Sequence, residues 1–139
     1  MDGRGIAAAF ALGASAVQMG TAFLGCAESA VPAPWREALE NSEDSSTVLT
    51  KVYTGKYARG IRNRFYDEMV SLEDKVPAYP VHNYLTRPIR AASRAKGSPE
   101  HMSLWAGQGS AMTKSCTAGE LVRSLAAEYV ETIGRLSGR

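Results

Sequence analysis

The run Val17-Gln18-Met19-Gly20-Thr21 has the residue types and spacing best suited to holding a ligand. A glycine without a Cβ lets a backbone N–H come close to a ligand oxygen, and the threonine after it adds a hydroxyl donor. At the end of a strand and the start of a helix, such a pair suits a phosphate, because the unpaired amides and the macrodipole there both favour an anion. Taken alone, the pattern says only that backbone approaches something closely, since strand-Gly-Thr occurs in many turns.

The other chemistry-bearing groups are sparse. His82 falls in a helical region, and His101 lies in Ser98-Pro99-Glu100-His101, where Ser98 caps a helix and Pro99 fits its first turn. Both read as surface or helix-end histidines and not as catalytic groups. Trp105-Ala106-Gly107-Gln108 sets a tryptophan between a helix end and two glycines. That placement suits either a lid over a bound ligand, with Trp105, Gly107 and Gln108 in it, or a core aromatic anchoring a loop. Gln108 and Asn83 are the candidate polar contacts. The tyrosines at 53, 57, 66, 79 and 84 read as core or rim residues, and the arginines at 59, 62 and 64 as a solvated face. Cys26 and Cys116 stand far apart without Cys-x-x-Cys or Cys/His spacing, which excludes a disulfide framework and a zinc site and implies two reduced thiols in a cytoplasmic protein.

The elements that must position these groups read as α/β. Gly3 to Leu12 is an alanine-rich helix ended by Gly13, and Ala16-Val17-Gln18-Met19 follows as a short buried strand, half of a β/α repeat. Ala22 to Glu28 begins another helix. Pro32 and Pro34 open a loop, Trp35 to Leu39 fits a helical turn or two, and Asn41 to Ser46 is a solvated linker. Thr47 to Tyr53 is β-branched and extended, ended by Thr54-Gly55, and its imperfect alternation marks an edge or excursion strand. Tyr57 to Leu72 has a stripe of Ile61, Phe65, Met69 and Leu72, and His82 to Lys96 one of Tyr84, Leu85, Ile89 and Ala92, both expected to face a core. In Thr117 to Leu136 the residues Leu121, Val122, Leu125, Tyr129, Val130 and Ile133 share a face, and Thr117 with Glu120 forms a capping box.

Composition sets the outer bounds. With 45 % hydrophobic and 22 % charged residues the chain has the makings of a core. Its 16 basic and 14 acidic side chains are interspersed, for a net charge of +2, and form no basic stripe of the kind nucleic acid requires. Arg4 before Ile6 to Leu12, and Phe23-Leu24-Gly25-Cys26, imitate a signal peptide and a lipoprotein cleavage site, the basis for reading a small secreted or lipid-anchored binding protein. Gly13, Ser15, Gln18 and Gly20 break that apolar run, so no membrane span is expected.

Over nearly the whole chain, ordered motifs resemble the nitronate monooxygenases (2-nitropropane dioxygenases). They are Asp2-Gly3-Arg4-Gly5-Ile6-Ala7-Ala8-Ala9, Leu12-Gly13-Ala14, Val17 to Leu24, Thr54-Gly55, Ala58-Arg59-Gly60, Arg62-Asn63-Arg64-Phe65, Tyr79-Pro80, Asn83, Leu85-Thr86-Arg87-Pro88 and Leu104 to Gly109. The resemblance implies the last units of an FMN-binding (β/α)8 TIM barrel over 1–31, a mostly helical segment with one extended strand over 32–115, and a final amphipathic helix over 116–139. A whole barrel takes about 250 residues, so 139 residues would be its C-terminal portion. Gln18, Met19, Gly20 and Thr21 then match half of the FMN phosphate site. The other half, a Gly-Gly pair, and the family's histidine near the flavin both fall outside this sequence, so no catalytic residue and no metal ligand is assigned within it.

The activity implied is oxidative denitrification of an alkyl nitronate by dioxygen to a carbonyl compound and nitrite. NADH:quinone reductases and enoyl-reductase relatives are the runners-up, and a split piece inactive alone is a third reading. Barrel elements without their neighbours expose strand edges, so association with the missing barrel portion, self-association or a loose fold is expected.

Overall fold

A computed structural model of the chain describes residues 2–138. Two compact units divide it, one made of residues up to Ala30 together with Met112 onward, the other of Val31–Ala111.

In the first unit, helix α1 (Gly3–Ala11) begins where the Asp2 carboxylate accepts from the Gly5 amide at 3.0 Å and ends before Gly13, whose φ of +93° supplies the left-handed step expected of a terminating glycine. Helix α2 (Thr21–Leu24) is a single turn. The long helix that closes the chain, Ala118–Leu136, carries the complete capping box of Thr117 and Glu120 expected from sequence. This closing helix lies against α1 so closely that a side chain at Gly3 would overlap the Glu128 and Tyr129 backbone. Ala22, Cys26, Leu121 and Leu125 form the core, flanked by Ile6, Met19 and Phe23. Val122, Val130 and Ile133 are exposed, so only part of the expected apolar face is used. Neither cysteine is in a disulfide, and their backbones form a parallel bridge, with Ala27 N–H donating to the Cys116 carbonyl at 2.9 Å.

The strand expected at Ala16-Val17-Gln18-Met19 does not form: these residues have no regular structure, and Ala16, Val17 and Gln18 are exposed. Extended backbone becomes a strand only where a neighbour accepts and donates its hydrogen bonds, and none of the described residues pairs with this segment.

Val31–Ala111 contains α3 (Ala33–Glu40) and a two-stranded antiparallel sheet, β1 (Thr47–Thr50) and β2 (Ala58–Ile61), with Thr47 opposite Ile61 and Thr50 opposite Ala58. β2 corrects the expectation of one helix from Tyr57 to Leu72. Ala58–Ile61 is extended because it pairs on both sides: Ile61 N–H donates to the Leu104 carbonyl at 2.8 Å and Ala106 N–H to the Arg59 carbonyl at 3.2 Å. The helix starts only after Asn63, as α4 (Arg64–Met69), and continues as a 3-10 segment, Val70–Lys75. Val52, Tyr53 and Phe65 make the core, with Tyr66, Met69 and Trp105 packed on it. Leu72, expected in the buried stripe, is exposed.

Helix α5 (Val81–Ala95) inverts its expected orientation. Tyr84, Leu85, Ile89 and Ala92 are exposed, and the buried face is His82, Thr86 and Ser93. The reason is polar: the turn after β1 leaves two buried carbonyls without strand partners. His82 Nε2 lies 2.6 Å from the Val52 carbonyl and Thr86 Oγ1 donates to the Tyr53 carbonyl at 2.6 Å. An unpaired buried carbonyl costs about 1–3 kcal/mol, so these two bonds favour the face that carries His82 and Thr86. α5 is followed by residues 96–107, which carry the Gly60–Trp105 bridge, and by the 3-10 segment Gln108–Met112; the closing helix Ala118–Leu136 is α6. No described helix is long and apolar enough to cross a membrane.

One contact of the first unit makes its stability depend on pH. The Glu128 carboxylate accepts from Lys114 Nζ at 2.7 Å, from Gly3 N–H at 2.9 Å and from Ser124 Oγ at 3.0 Å. Lys114 foremost, then the Gly3 amide, hold the Glu128 carboxyl below its ordinary value of 4.5, and the same carboxylate raises Lys114 above 10.5. A depressed carboxylate stabilises above its unfolded pKa and loses that contribution as pH falls; a raised ammonium stabilises below its unfolded pKa and loses it as pH rises. The urea midpoint of this unit is therefore expected to be flat between these limits and to fall modestly outside them, the pair being partly exposed. Glu128→Gln should flatten the acid limb; an unchanged limb would sink the assignment.

Candidate functional site

Gln18, Met19, Gly20 and Thr21 lie in the first unit, on the loop that runs into α2. Gln18 and Gly20 are exposed, Thr21 is half-buried, and Met19 packs against the Ala22–Leu121 core, which fixes the loop from beneath. Gly20 sits at φ −106°, ψ −62°, a conformation open to any residue, and a Cβ there would meet nothing within 4 Å. The space over this backbone is thus open, and residues 14–21 carry no acidic side chain to repel an anion.

Trp105, Gly107, Gln108 and Asn83 belong to the other unit. The Trp105 ring packs edge-on against Tyr53 with centroids 5.3 Å apart, and its backbone bridges Gly60. Gly107 accepts from Ser110 N–H at 3.1 Å, and Gln108 is exposed on the 3-10 turn that follows. Asn83 Oδ1 accepts from Arg90 at 2.7 Å, which commits it to the helix.

The histidines divide. His82 stands at the helix end, one of its two expected placements, but is buried and not at the surface; because a carbonyl only accepts, its Nε2 carries the proton given to Val52. His101 is partly exposed, with Nε2 3.3 Å from Glu68 and its ring edge-on to Phe65. Arg64 first, then His101, hold the Glu68 carboxyl below its ordinary range. Both imidazoles are engaged in structure. Among the described residues no three His, Cys, Asp or Glu side chains gather into a metal site.

Sequence reasoning missed one organising residue. Asn63 caps α4 by accepting from Tyr66 N–H at 3.3 Å, accepts from the Tyr53 hydroxyl at 2.6 Å, and donates to the Pro99 and Met102 carbonyls at 2.8 and 2.9 Å. It thereby ties β1's exit, α4 and the approach to Trp105 together. Burial pushes the Tyr53 hydroxyl well above its ordinary pKa, so it remains a donor. The available signal was an Asn just before a helical run, a preferred cap.

Comparison with known proteins assigns the lineage. Residues 1–128 match the nitronate monooxygenase family. A probable nitronate monooxygenase of Staphylococcus saprophyticus is 39 % identical over 135 residues, covering 97 % of this chain and 38 % of that protein. One of Staphylococcus aureus (strain Newman) is 42 % identical over 125 residues, covering 90 % and 35 %. Among solved structures, the nitroalkane oxidase from Streptomyces ansochromogenes superposes with a TM-score of 0.91 at 44 % identity, covering 98 % of this chain and 39 % of that one. FabK from Thermotoga maritima gives a TM-score of 0.82 at 31 % identity, covering 99 % and 44 %. The chain thus spans well under half the length of the relatives it matches, and across that span it belongs to the nitronate monooxygenase family.

Proposed function

We propose that this chain supplies the closing portion of an FMN-dependent (β/α)8 barrel oxidoreductase that converts alkyl nitronates and dioxygen to a carbonyl compound and nitrite. The likeness to the nitroalkane oxidase over 98 % of the chain carries the reading. When bound, FMN would supply the electron transfer between nitronate and dioxygen. The chain's own part is binding. Gly20 presents an unhindered amide, Thr21 a hydroxyl, and Gln18 and Met19 the approach to them, with Met19 packed against the core. Gly107 and Gln108, carried by the anchored Trp105, form the segment that closes over the ring. The remaining barrel portion is the partner this half-cradle needs, and the cytoplasm is its expected location. In the region 1–24, the unpaired Ala16-Val17-Gln18-Met19 segment becomes a barrel strand when that portion pairs with it, which also accounts for its exposure here.

The test is flavin retention and nitrite release with the chain combined with the amino-terminal portion of a family member. Bound FMN and nitrite formation from a nitronate are expected, and Gly20→Glu should abolish both by setting a carboxylate in the phosphate space, with circular dichroism unchanged because that position is open. Full flavin retention in Gly20→Glu would refute the phosphate assignment. The likeness to FabK supports a second reading, a pyridine-nucleotide-dependent reductase of the same fold. Turnover of NADH with a quinone, without nitrite, would decide for it.

A further inference from the structure

The outer side of α5 carries Arg87, Arg90 and Arg94, at spacings of three and four residues, which place all three on one strip of the helix. Together with Ser103, Trp35 and Trp105 they line a groove of about 310 Å3 that lies wholly within Val31–Ala111. Its lining contains no carboxylate. None of the three arginines is in an ion pair with a described residue.

Arg90 is the fixed member. Its guanidinium is partly buried and donates to Thr86 Oγ1 at 3.2 Å, Ser103 Oγ at 3.2 Å, and the Asn83 carbonyl and Oδ1 at 2.9 and 2.7 Å. All four acceptors are neutral, so the charge is held in place but not neutralised. Burial first, then Arg87, disfavour its protonated form, and an arginine stays charged nonetheless. Like charges three and four residues apart oppose helix formation, so a strip of three without counter-ions costs the helix stability. The Trp35 indole N–H, beside the same groove, is buried and lacks an acceptor.

We propose that this groove binds a small phosphate-bearing anion, gripped by Arg87 and Arg94 on either side of a pre-positioned Arg90. Guanidinium forks approaching from different turns match an oxyanion with several oxygens and more than one charge, whereas one carboxylate would leave most of the cluster unneutralised. The size suits a small molecule and not a protein surface. Trp35 and Trp105 in the lining give an attached ring an apolar flank. This inference does not rest on the flavin-phosphate assignment at residues 18–21 and shares with the flavin reading only Trp105, which carries the Gly107–Gln108 segment.

The chain's two tryptophans both line the groove, so their emission reports on it directly. Inorganic pyrophosphate added to the chain, without flavin and at constant ionic strength, is expected to change that emission saturably. Arg87→Gln/Arg94→Gln should weaken the apparent affinity at least about tenfold, as loss of charge-assisted hydrogen bonds implies. Both side chains are exposed, so circular dichroism should not change. A non-saturable response, an equal response to sodium chloride, unaltered affinity in the double variant, or tighter binding of citrate than of pyrophosphate would each overturn the proposal.

Discussion

Asn63→Ala is expected to destabilise Val31–Ala111 by about 3–5 kcal/mol, read from the urea midpoint. A lost N-cap accounts for about 1 kcal/mol, and a buried hydroxyl or carbonyl left without its partner for about 1–3 kcal/mol each, with some relieved by water. Three groups lose a partner: the fully buried Tyr53 hydroxyl and the Pro99 and Met102 carbonyls. Asn63→Asp keeps both acceptor roles and loses both donations, so it should fall between wild type and alanine. Tyr53→Phe removes the hydroxyl that Asn63 satisfies. The two changes should therefore be non-additive, with a coupling of about 0.5–3 kcal/mol in a double-mutant cycle. Simple additivity would show that the network is not shared.

Gly55→Ala should be comparably damaging, by about 2–5 kcal/mol, for two separable reasons. Gly55 sits at φ +80°, where an L side chain is strained by about 1–2 kcal/mol. A Cβ there would also overlap the Pro77 carbonyl oxygen and lie 2.7 Å from Tyr79 N, atoms of backbone that cannot rotate away. Overpacking of that kind adds about 1–3 kcal/mol. Gly60→Ala isolates the second effect, since Gly60 has no left-handed φ and its Cβ would lie 2.9 Å from the Leu104 carbonyl oxygen. Its loss should be smaller than that of Gly55→Ala in the same unfolding experiment. Equal losses would mean that the left-handed backbone contributes nothing.

The same residues show where reading the sequence succeeds. Helix ends are local events: a side chain satisfies an amide two or three residues on, and a glycine reverses the chain just past the last turn. Thr117 with Glu120 and the Gly13 stop therefore carried their meaning within a few letters. The start of β1 was legible too in the β-branched run from Thr47, though the strand ends at Thr50 and not at Thr54-Gly55, whereas β2 was not, because Ala58-Arg59-Gly60-Ile61 has no strand-like composition and is extended only through its two neighbours. The phosphate-suited run at Gln18 to Thr21 was readable as residue types, and the open space above Gly20 required coordinates.

The sequence by itself determined the family, the helices α1, α5 and α6, the Thr117–Glu120 capping box and the Gly13 stop, because these rest on residue identity and short-range spacing. Only the tertiary structure decided that α6 lies on α1 across Gly3, that Ala16 to Met19 lacks strand partners, and that α5 buries His82 and Thr86 in place of Leu85 and Ile89. Periodicity shows that a helix has two faces. The face that turns inward is the one whose His82 and Thr86 reach the Val52 and Tyr53 carbonyls, a demand from distant backbone that spacing along the helix does not encode.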